Sequence, residues 1–547
     1  MARILISCLV LFAVCYAAEP PAELIVSSNN SYWKTGTVTT VTDDTANVIV
    51  DLSSVNQNWE GFGGTFNEMG WDALSVINSE IPKVMELLFD DENGANFMYG
   101  RIPIGASDYA MSWYSLAETA NDYAMDHFSI ARDRQKLIPY IKAALAVNPD
   151  LHLWGSPWIC PDWMKSGSNF KNDPQTMEAY ALYFAKFVEE YGKEGITIEA
   201  VHHQNEPGYA RVKWTTPQFV SFLGEYLGPK FEERTISTEI WCGTMSHPLD
   251  SNIAIACMND AEAMKYIKGF GLQWNLESVV PTLSKKGRVW QTEHRCGNYN
   301  FETKYWDQSR YSSSKPQNDH LYGVESWQLL RDWIAAGVNS YCAWNMVLDT
   351  YGKSLDNWPQ NALLVVDRSA KKLIITPAYW TFRHFSQKIM PGAKRIGTLG
   401  SHFDALAFKN PDGTYITEVL NKEDAAKKIT VNLGSTLYQF DLPGQGWATL
   451  SAKPSTSAEA PHPNQSVFSR TAISITGTRD NFRIALPSGA SGHLELLTVD
   501  GRVLHSKQVS QSDREILLSR LALPSGVLLV QFVSGETTTT ARLISAY

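Results

Sequence analysis

Ile196-Thr197-Ile198-Glu199-Ala200-Val201-His202-His203-Gln204-Asn205-Glu206-Pro207 sets an apolar, β-branched run just before a carboxylate. The run Ile196 to Val201 is short, rich in β-branched residues and followed by a turn, which predicts a buried strand. Glu206 then stands at the strand's carboxyl end. A second stretch repeats the pattern. Gly287-Arg288-Val289-Trp290 leads into Gln291-Thr292-Glu293-His294, with enough chain between the two stretches for two or three β/α units. Two glutamates ending different strands of one parallel barrel would face the same cleft. One carboxyl could then protonate a leaving oxygen while the other attacks or stabilises an anomeric carbon.

Helical patterns at Ile81 to Leu88, Ile130 to Ala146, Pro174 to Tyr191, Pro217 to Phe231 and Gly323 to Ala336 alternate with strand-like runs. Those runs include Met98 to Pro103, Leu151 to Trp154 and Ser340 to Trp344. The alternation predicts an α/β fold, a (β/α)8 TIM barrel over residues 61–390. Before it, Thr35 to Val41 and Asn47 to Leu52 alternate as strands without helices. After it, Ala405 to Phe408, Thr414 to Leu420 and Lys428 to Leu433 do the same. Residues 18–60 and 391–452 are expected to join in one side β-sandwich. Residues 453–466, rich in Pro, Ser and Ala, read as a linker. A separate C-terminal β-sandwich is expected over 467–547.

The 547 residues are 44% hydrophobic and 19% charged, a globular composition. A net charge of −10 argues against a nucleic-acid partner, which would want a basic face. Arg3, the apolar run Ile4 to Val14 and Cys15-Tyr16-Ala17 predict a signal peptide over 1–17 and a secreted or cell-surface protein. That run is short for a membrane span, and no other segment is long and apolar enough for a transmembrane segment. Seven cysteines include two in the signal. The remaining five, an odd number without CxxC spacing, indicate neither a disulfide framework nor a zinc site; a single Cys242–Cys257 bridge is the alternative, and buried free thiols are the preferred reading. No cofactor or metal is called for by any spacing. The 18 tryptophans divide between core filling and the stacking of sugar rings on indole faces.

Each glutamate alone has an ordinary reading. Glu206 could open a helix after a turn, and Glu293 could pair with Arg295 at the surface. Together they are far more specific. Asn205 could hydrogen-bond a sugar 2-hydroxyl, a contact that strengthens as charge develops at the anomeric carbon. His202 and His203 precede the pair; one is expected to pack inside and one to tune Glu206. Glu68 is a spare carboxylate with two readings, sugar binding or a pair with Arg101, of which the pair is preferred.

The chain resembles glycoside hydrolase family 30, the glucosylceramidase and β-1,6-glucanase-like retaining glycosidases. The motifs are Gly61-Phe62-Gly63-Gly64-Thr65-Phe66-Asn67-Glu68, Gly100-Arg101-Ile102-Pro103-Ile104-Gly105-Ala106-Ser107-Asp108-Tyr109, Ser156-Pro157-Trp158-Ile159-Cys160-Pro161-Asp162-Trp163 and Phe385-Ser386-Gln387-Lys388-Ile389-Met390-Pro391-Gly392-Ala393. The resemblance implies Glu206 as acid/base, Glu293 as nucleophile, and Arg101, Asp108, Trp158, Asn205 and Trp344 as the lining of the −1 sugar subsite. Asn357 and Trp358 fall on a loop where glucosylceramidase-like members also contact sugar. The substrate implied is an oligo- or polysaccharide, a β-1,6-linked glucan before β-xylosides, xylan or glucosylceramide. An inactive sugar-binding barrel is the rival reading. Leu497 to Val503 and Leu523 to Phe532 resemble sorting domains of type IX secretion, which would make export machinery a partner. A carbohydrate-binding module competes for the same segment.

Overall fold

A computed structural model describes residues 22–208, 211–295 and 320–454, and the C-terminal strands 474–477, 481–485, 491–498, 503–510, 515–519, 526–534 and 537–545. The expected signal, most of the linker and Cys296 lie outside the described residues.

Eight parallel strands close into a barrel: β1 (Gly61–Thr65), β2 (Tyr99–Pro103), β3 (His152–Ser156), β4 (Ala200–His202), β5 (Glu239–Met245), β6 (Ile267–Gln273), β7 (Arg288–Arg295) and β8 (Ser340–Trp344). β8 pairs back to β1 through Ser340↔Gly61 and Cys342↔Gly63. The lower interior is filled by Trp154, Trp241, Trp290 and Cys342, with Ala200 and the half-buried Tyr99. The Trp241 and Trp290 rings lie 3.8 Å apart. Gly269 on β6 makes room for that stack, because a Cβ there would sit 2.3 Å from Trp241. Core filling is therefore the role of these tryptophans.

Helices Ile81–Phe89, Leu137–Leu145, Pro174–Lys193 and Leu321–Ala336 cover the barrel where the apolar periodicity places them. Two expected helices are shorter or broken. The Ile130 to Ala146 pattern becomes helical only at Leu137, since buried Asp133 accepts the Tyr114 and Tyr191 hydroxyls at 2.7 and 2.8 Å. The Pro217 to Phe231 pattern is interrupted by a wider π-helical turn, Phe222–Leu227. The expected strand Ile196 to Val201 narrows to Ala200–His202, with cross-strand bonds beginning at Glu199 N to Leu153 O.

The side sandwich is one ten-stranded curled sheet, in the order Ser31–Thr35, Glu23–Ser28, Trp447–Ala452, Tyr415–Leu420, Ala405–Lys409, Lys394–Leu399, Val48–Asn58, Lys427–Leu433, Thr436–Leu442 and Thr39–Val41. The expected strand Thr35 to Val41 is split, and its halves form the sheet's two opposite edges. Only Gly36-Thr37-Val38 joins them, so the sheet must roll until its edges approach. A buried chain of polar groups ties the sheet to helix Pro377–Lys388. Ser27 Oγ lies 2.8 Å from His384 Nε2, His384 Nδ1 lies 2.7 Å from Thr449 Oγ1, and Thr449 donates to Glu418 at 2.7 Å.

The C-terminal unit, 456–547, contains a three-stranded sheet (Ser474–Gly477, Asn481–Ala485, Glu515–Ser519) and a four-stranded sheet (Val503–Val509, Gly492–Thr498, Gly526–Ser534, Thr537–Ser545), both antiparallel. Cys160, Cys242, Cys257 and Cys342 are free and buried. Among the described residues no helix is long and apolar enough to cross a membrane.

Candidate active site

The barrel ladder continues past β4 on both sides. Asn205 N donates to Pro157 O and Glu206 N to Thr244 O, each at 2.9 Å. Both side chains therefore emerge at the carboxyl end of β4. Glu206 has φ 42°, a left-handed conformation that costs a non-glycine residue about 1–3 kcal/mol. Pro207 holds the chain that leaves it.

Glu293 reaches the cleft through a bulge. Register slips on both sides of β7: Leu272↔Gln291 is followed by Gln273↔Glu293, and Gln291↔Tyr341 by His294↔Ala343. Trp290 fills the barrel interior. Strict alternation from Trp290 would turn Glu293 outward, and the extra residue turns it back in.

Arg101, fully buried on β2, connects the two strand ends. Its Nη1 donates to Glu293 Oε2 and to Thr292 O, the latter at 3.4 Å. Its Nη2 donates to Asn205 Oδ1 at 2.5 Å and its Nε to Ser156 Oγ at 3.0 Å. The guanidinium lies 4.3 Å from the Trp158 ring and 5.6 Å from Trp344. Asn205 Oδ1 also accepts from Thr244 Oγ1 at 3.0 Å and Gln273 Nε2 at 3.2 Å. Three donors on one oxygen fix the amide's orientation, and with it the direction of the Nδ2 donor.

Trp158 and Trp344 stack 5.6 Å apart at 22°, and Tyr109 meets Trp344 edge-on. They form an apolar wall beside Asp108. Among the described residues the buried Asp108 Oδ1 has no hydrogen-bond partner. A buried acceptor left open is costly unless a ligand hydroxyl fills it.

Burial raises all three carboxyls. Glu206 is pushed up to about 8, first by burial and then by the charge of Glu293; the Ser246 hydroxyl and Arg101 pull the other way. Glu293 reaches about 7, with Arg101 opposing burial most strongly. Asp108 is raised to about 7 by burial and then by Glu206. The Arg101 ion pair favours the ionised form of Glu293, so the proton shared by the pair resides on Glu206.

The structure thus brings Glu206, Glu293, Arg101, Asp108, Trp158, Asn205 and Trp344 to one mouth of the barrel. Asn357 and Trp358 lie on the loop after β8, which is tied to it by Tyr109 Oη donating to Gly352 O and Trp358 O at 2.9 and 3.2 Å. Two expectations are corrected. Glu68 pairs with Arg132 at 2.8 Å and accepts Met111 N at 2.7 Å, while Arg101 is taken by Glu293. Neither histidine tunes Glu206. His202 bonds Gly243 O at 2.6 Å and packs on Trp154 and Trp241, and His203 is enclosed by Trp214, Phe219 and Phe222. Trp274 was missed by sequence reasoning. Its indole N–H donates to Glu293, and its carbonyl lies 3.0 Å from His294 Nε2. Its sequence signal is a tryptophan directly after β6, obscured by Gly269 and Gly271 in that strand. Among the described residues no cluster of three or more His, Cys, Asp or Glu could hold a metal.

Residues 59–389 match the family model of the glycosyl hydrolase family 30 TIM-barrel domain, and residues 392–450 that of the family's β-sandwich domain. The putative glucosylceramidase 1 of Caenorhabditis elegans is 27% identical, over 74% of this chain and 83% of the relative. The endo-1,6-beta-D-glucanase neg1 of Aspergillus fumigatus is 22% identical, over 72% of this chain and 83% of the relative. The solved structure of the endo-beta1,6-glucanase BT3312 superposes with a TM-score of 0.68 at 23% identity, covering 79% of this chain and all of that one. At that identity the likeness speaks for the fold.

Proposed function

This chain belongs to glycosyl hydrolase family 30 and is a glycoside hydrolase, and from that premise we propose a retaining double displacement carried by Glu206 and Glu293. The observation that carries this reading is Arg101, which holds Glu293 as an anion while Glu206, further raised by that anion, keeps its proton. Glu293 attacks the anomeric carbon as Glu206 protonates the departing oxygen. Bonding to the sugar neutralises Glu293. Glu206, left ionised by that proton transfer, then takes a proton from the water that releases the product. Asn205 Nδ2 donates to the sugar 2-hydroxyl, the Trp158–Trp344 wall takes the ring face, and Asp108 Oδ1 accepts a hydroxyl.

The substrate we infer is a β-glucan, β-1,6-linked before other linkages. The open acceptor on Asp108 supports a sugar rich in hydroxyls, and two kinds of relative point to glucose: enzymes named for 1,6-β-glucan and enzymes named for glucosylceramide. Product profiling on β-1,6-, β-1,3- and β-1,4-glucans, xylan, glucosylceramide and aryl glycosides tests this. Fastest turnover of β-1,6-glucan is expected, and turnover of xylan alone would sink it. An inactive barrel would turn over none of them.

The enzyme is proposed to work outside the cell, on the strength of the N-terminal apolar run and the C-terminal β unit. Removing residues after Pro463 should block export if that unit is a sorting domain. Unchanged export with weaker polysaccharide binding would make it a carbohydrate-binding module instead.

A further inference from the structure

Three loops that leave the barrel at widely spaced strands meet above Asp108. Trp113 follows β2, Arg211 follows β4, and Asp356 follows β8. In the closed barrel β4 and β8 stand opposite each other, and β2 lies midway between them. Arg211 Nη2 donates to Asp356 Oδ1, and the Arg211 guanidinium sits 4.0 Å from the centre of the Trp113 ring. Trp113 in turn packs against the cluster that contains Tyr109, Trp158 and Trp344. The β8 loop is pinned over the β2 loop, because Leu355 N donates to Asp108 O at 2.7 Å. Asp356, the next residue, is close enough for its charge to bear on Asp108.

We propose that the Arg211–Asp356 ion pair, seated on Trp113, closes the barrel mouth on the Asp108 side. The glycone subsite is then a blind end, and the enzyme removes single sugars from the non-reducing end of its substrate. The proposal rests on the catalytic reading above and adds the direction from which a chain enters. A sugar held by Asp108 and Asn205 has its distal hydroxyls toward this closure. A chain continuing from those hydroxyls would meet the stacked indole and guanidinium. The pair is itself partly solvated, with side chains 45% and 36% exposed, so it can be screened or removed without opening the core.

The test compares nitrophenol release from two substrates. One is 4-nitrophenyl β-glucoside. The other is 4-nitrophenyl β-gentiobioside methylated on its terminal 6-hydroxyl, which releases nitrophenol only if two glycone sugars fit. The wild type is expected to favour the glucoside by roughly 100-fold in kcat/KM. Arg211→Ala and Asp356→Asn should each narrow that ratio by roughly tenfold, since each removes one side of a polar closure. Salt at about 0.5 M should narrow it in the wild type and leave the variants' ratios unchanged. The salt arm uses the unaltered protein, so a misfolded variant cannot decide the matter. Equal rates on both substrates in the wild type, or a ratio unmoved by either substitution and by salt, overturns the closure while leaving the catalytic reading intact. Failure of the wild type on both substrates overturns the catalytic reading and the closure with it.

Discussion

Arg101 and Glu293 form a buried ion pair across the barrel, from the second strand to the seventh, with neither side chain more than 5% exposed. Removing one member strands the other without a countercharge, an imbalance of about 3–5 kcal/mol. Arg101→Gln is expected to lower kcat/KM by roughly a thousandfold and to move the acid limb of the pH profile upward. An unmoved acid limb in a folded variant would show that Arg101 does not hold the nucleophile's charge.

Glu293→Gln and Glu206→Gln should each lose roughly 10³-fold or more in kcat on an unactivated β-glycoside. Azide should rescue Glu206→Ala on an activated aryl glycoside, with a β-glycosyl azide identified by NMR. An α-azide would point to inversion, and full activity in Glu293→Gln would end the assignment.

The pH profile of kcat/KM should be bell-shaped. Activity needs Glu206 protonated and Glu293 ionised. It should fall as pH rises past about 8, where Glu206 loses its proton, and fall below about 7, where Glu293 gains one. The two limbs belong to the coupled pair. In Glu206→Ala with an activated leaving group the alkaline limb should vanish; its persistence would assign that limb elsewhere.

Trp274→Phe keeps an aromatic ring and removes the N–H that Glu293 accepts. A loss of roughly tenfold in kcat is expected, the worth of one hydrogen bond to a charged group. A change in KM alone would make Trp274 a wall for the sugar.

Glu418, fully buried in the sandwich, is raised to about 8 by burial. A raised carboxyl stabilises the fold while protonated, so its contribution is complete below its ordinary 4.5 and is lost as pH climbs through about 8. The melting temperature should decline over that window, and Glu418→Gln should flatten the decline. An identical slope in the variant would locate the effect in other groups.

The barrel was readable because its strands are short apolar runs at β/α spacing, and the two glutamates because each ends such a run. What decided their geometry was not readable. The bulge at Thr292-Glu293 changes which face a side chain takes without changing composition. Glu68 chose Arg132 over Arg101 because Glu293 already occupies the buried guanidinium, a competition visible only in three dimensions. His202 and His203 sit beside Glu206 in sequence, yet strand pleating sends one into the tryptophan stack and the other outward among phenylalanines. Trp274 acquires its role from a neighbouring strand, and no local pattern announces that.

Val48 pairs in parallel with Val431, so the curled sheet joins chain made early to chain made late. During synthesis at about 5–20 residues per second, the first of these strands waits roughly 20–80 s for its partner to leave the ribosome. For that interval Val48 and Val50 have no sheet to enter, and a nascent chain halted anywhere inside the barrel carries an unmatched strand edge. Shortened versions of this enzyme that end at residue 390 should therefore be clients of chaperones rather than smaller catalysts.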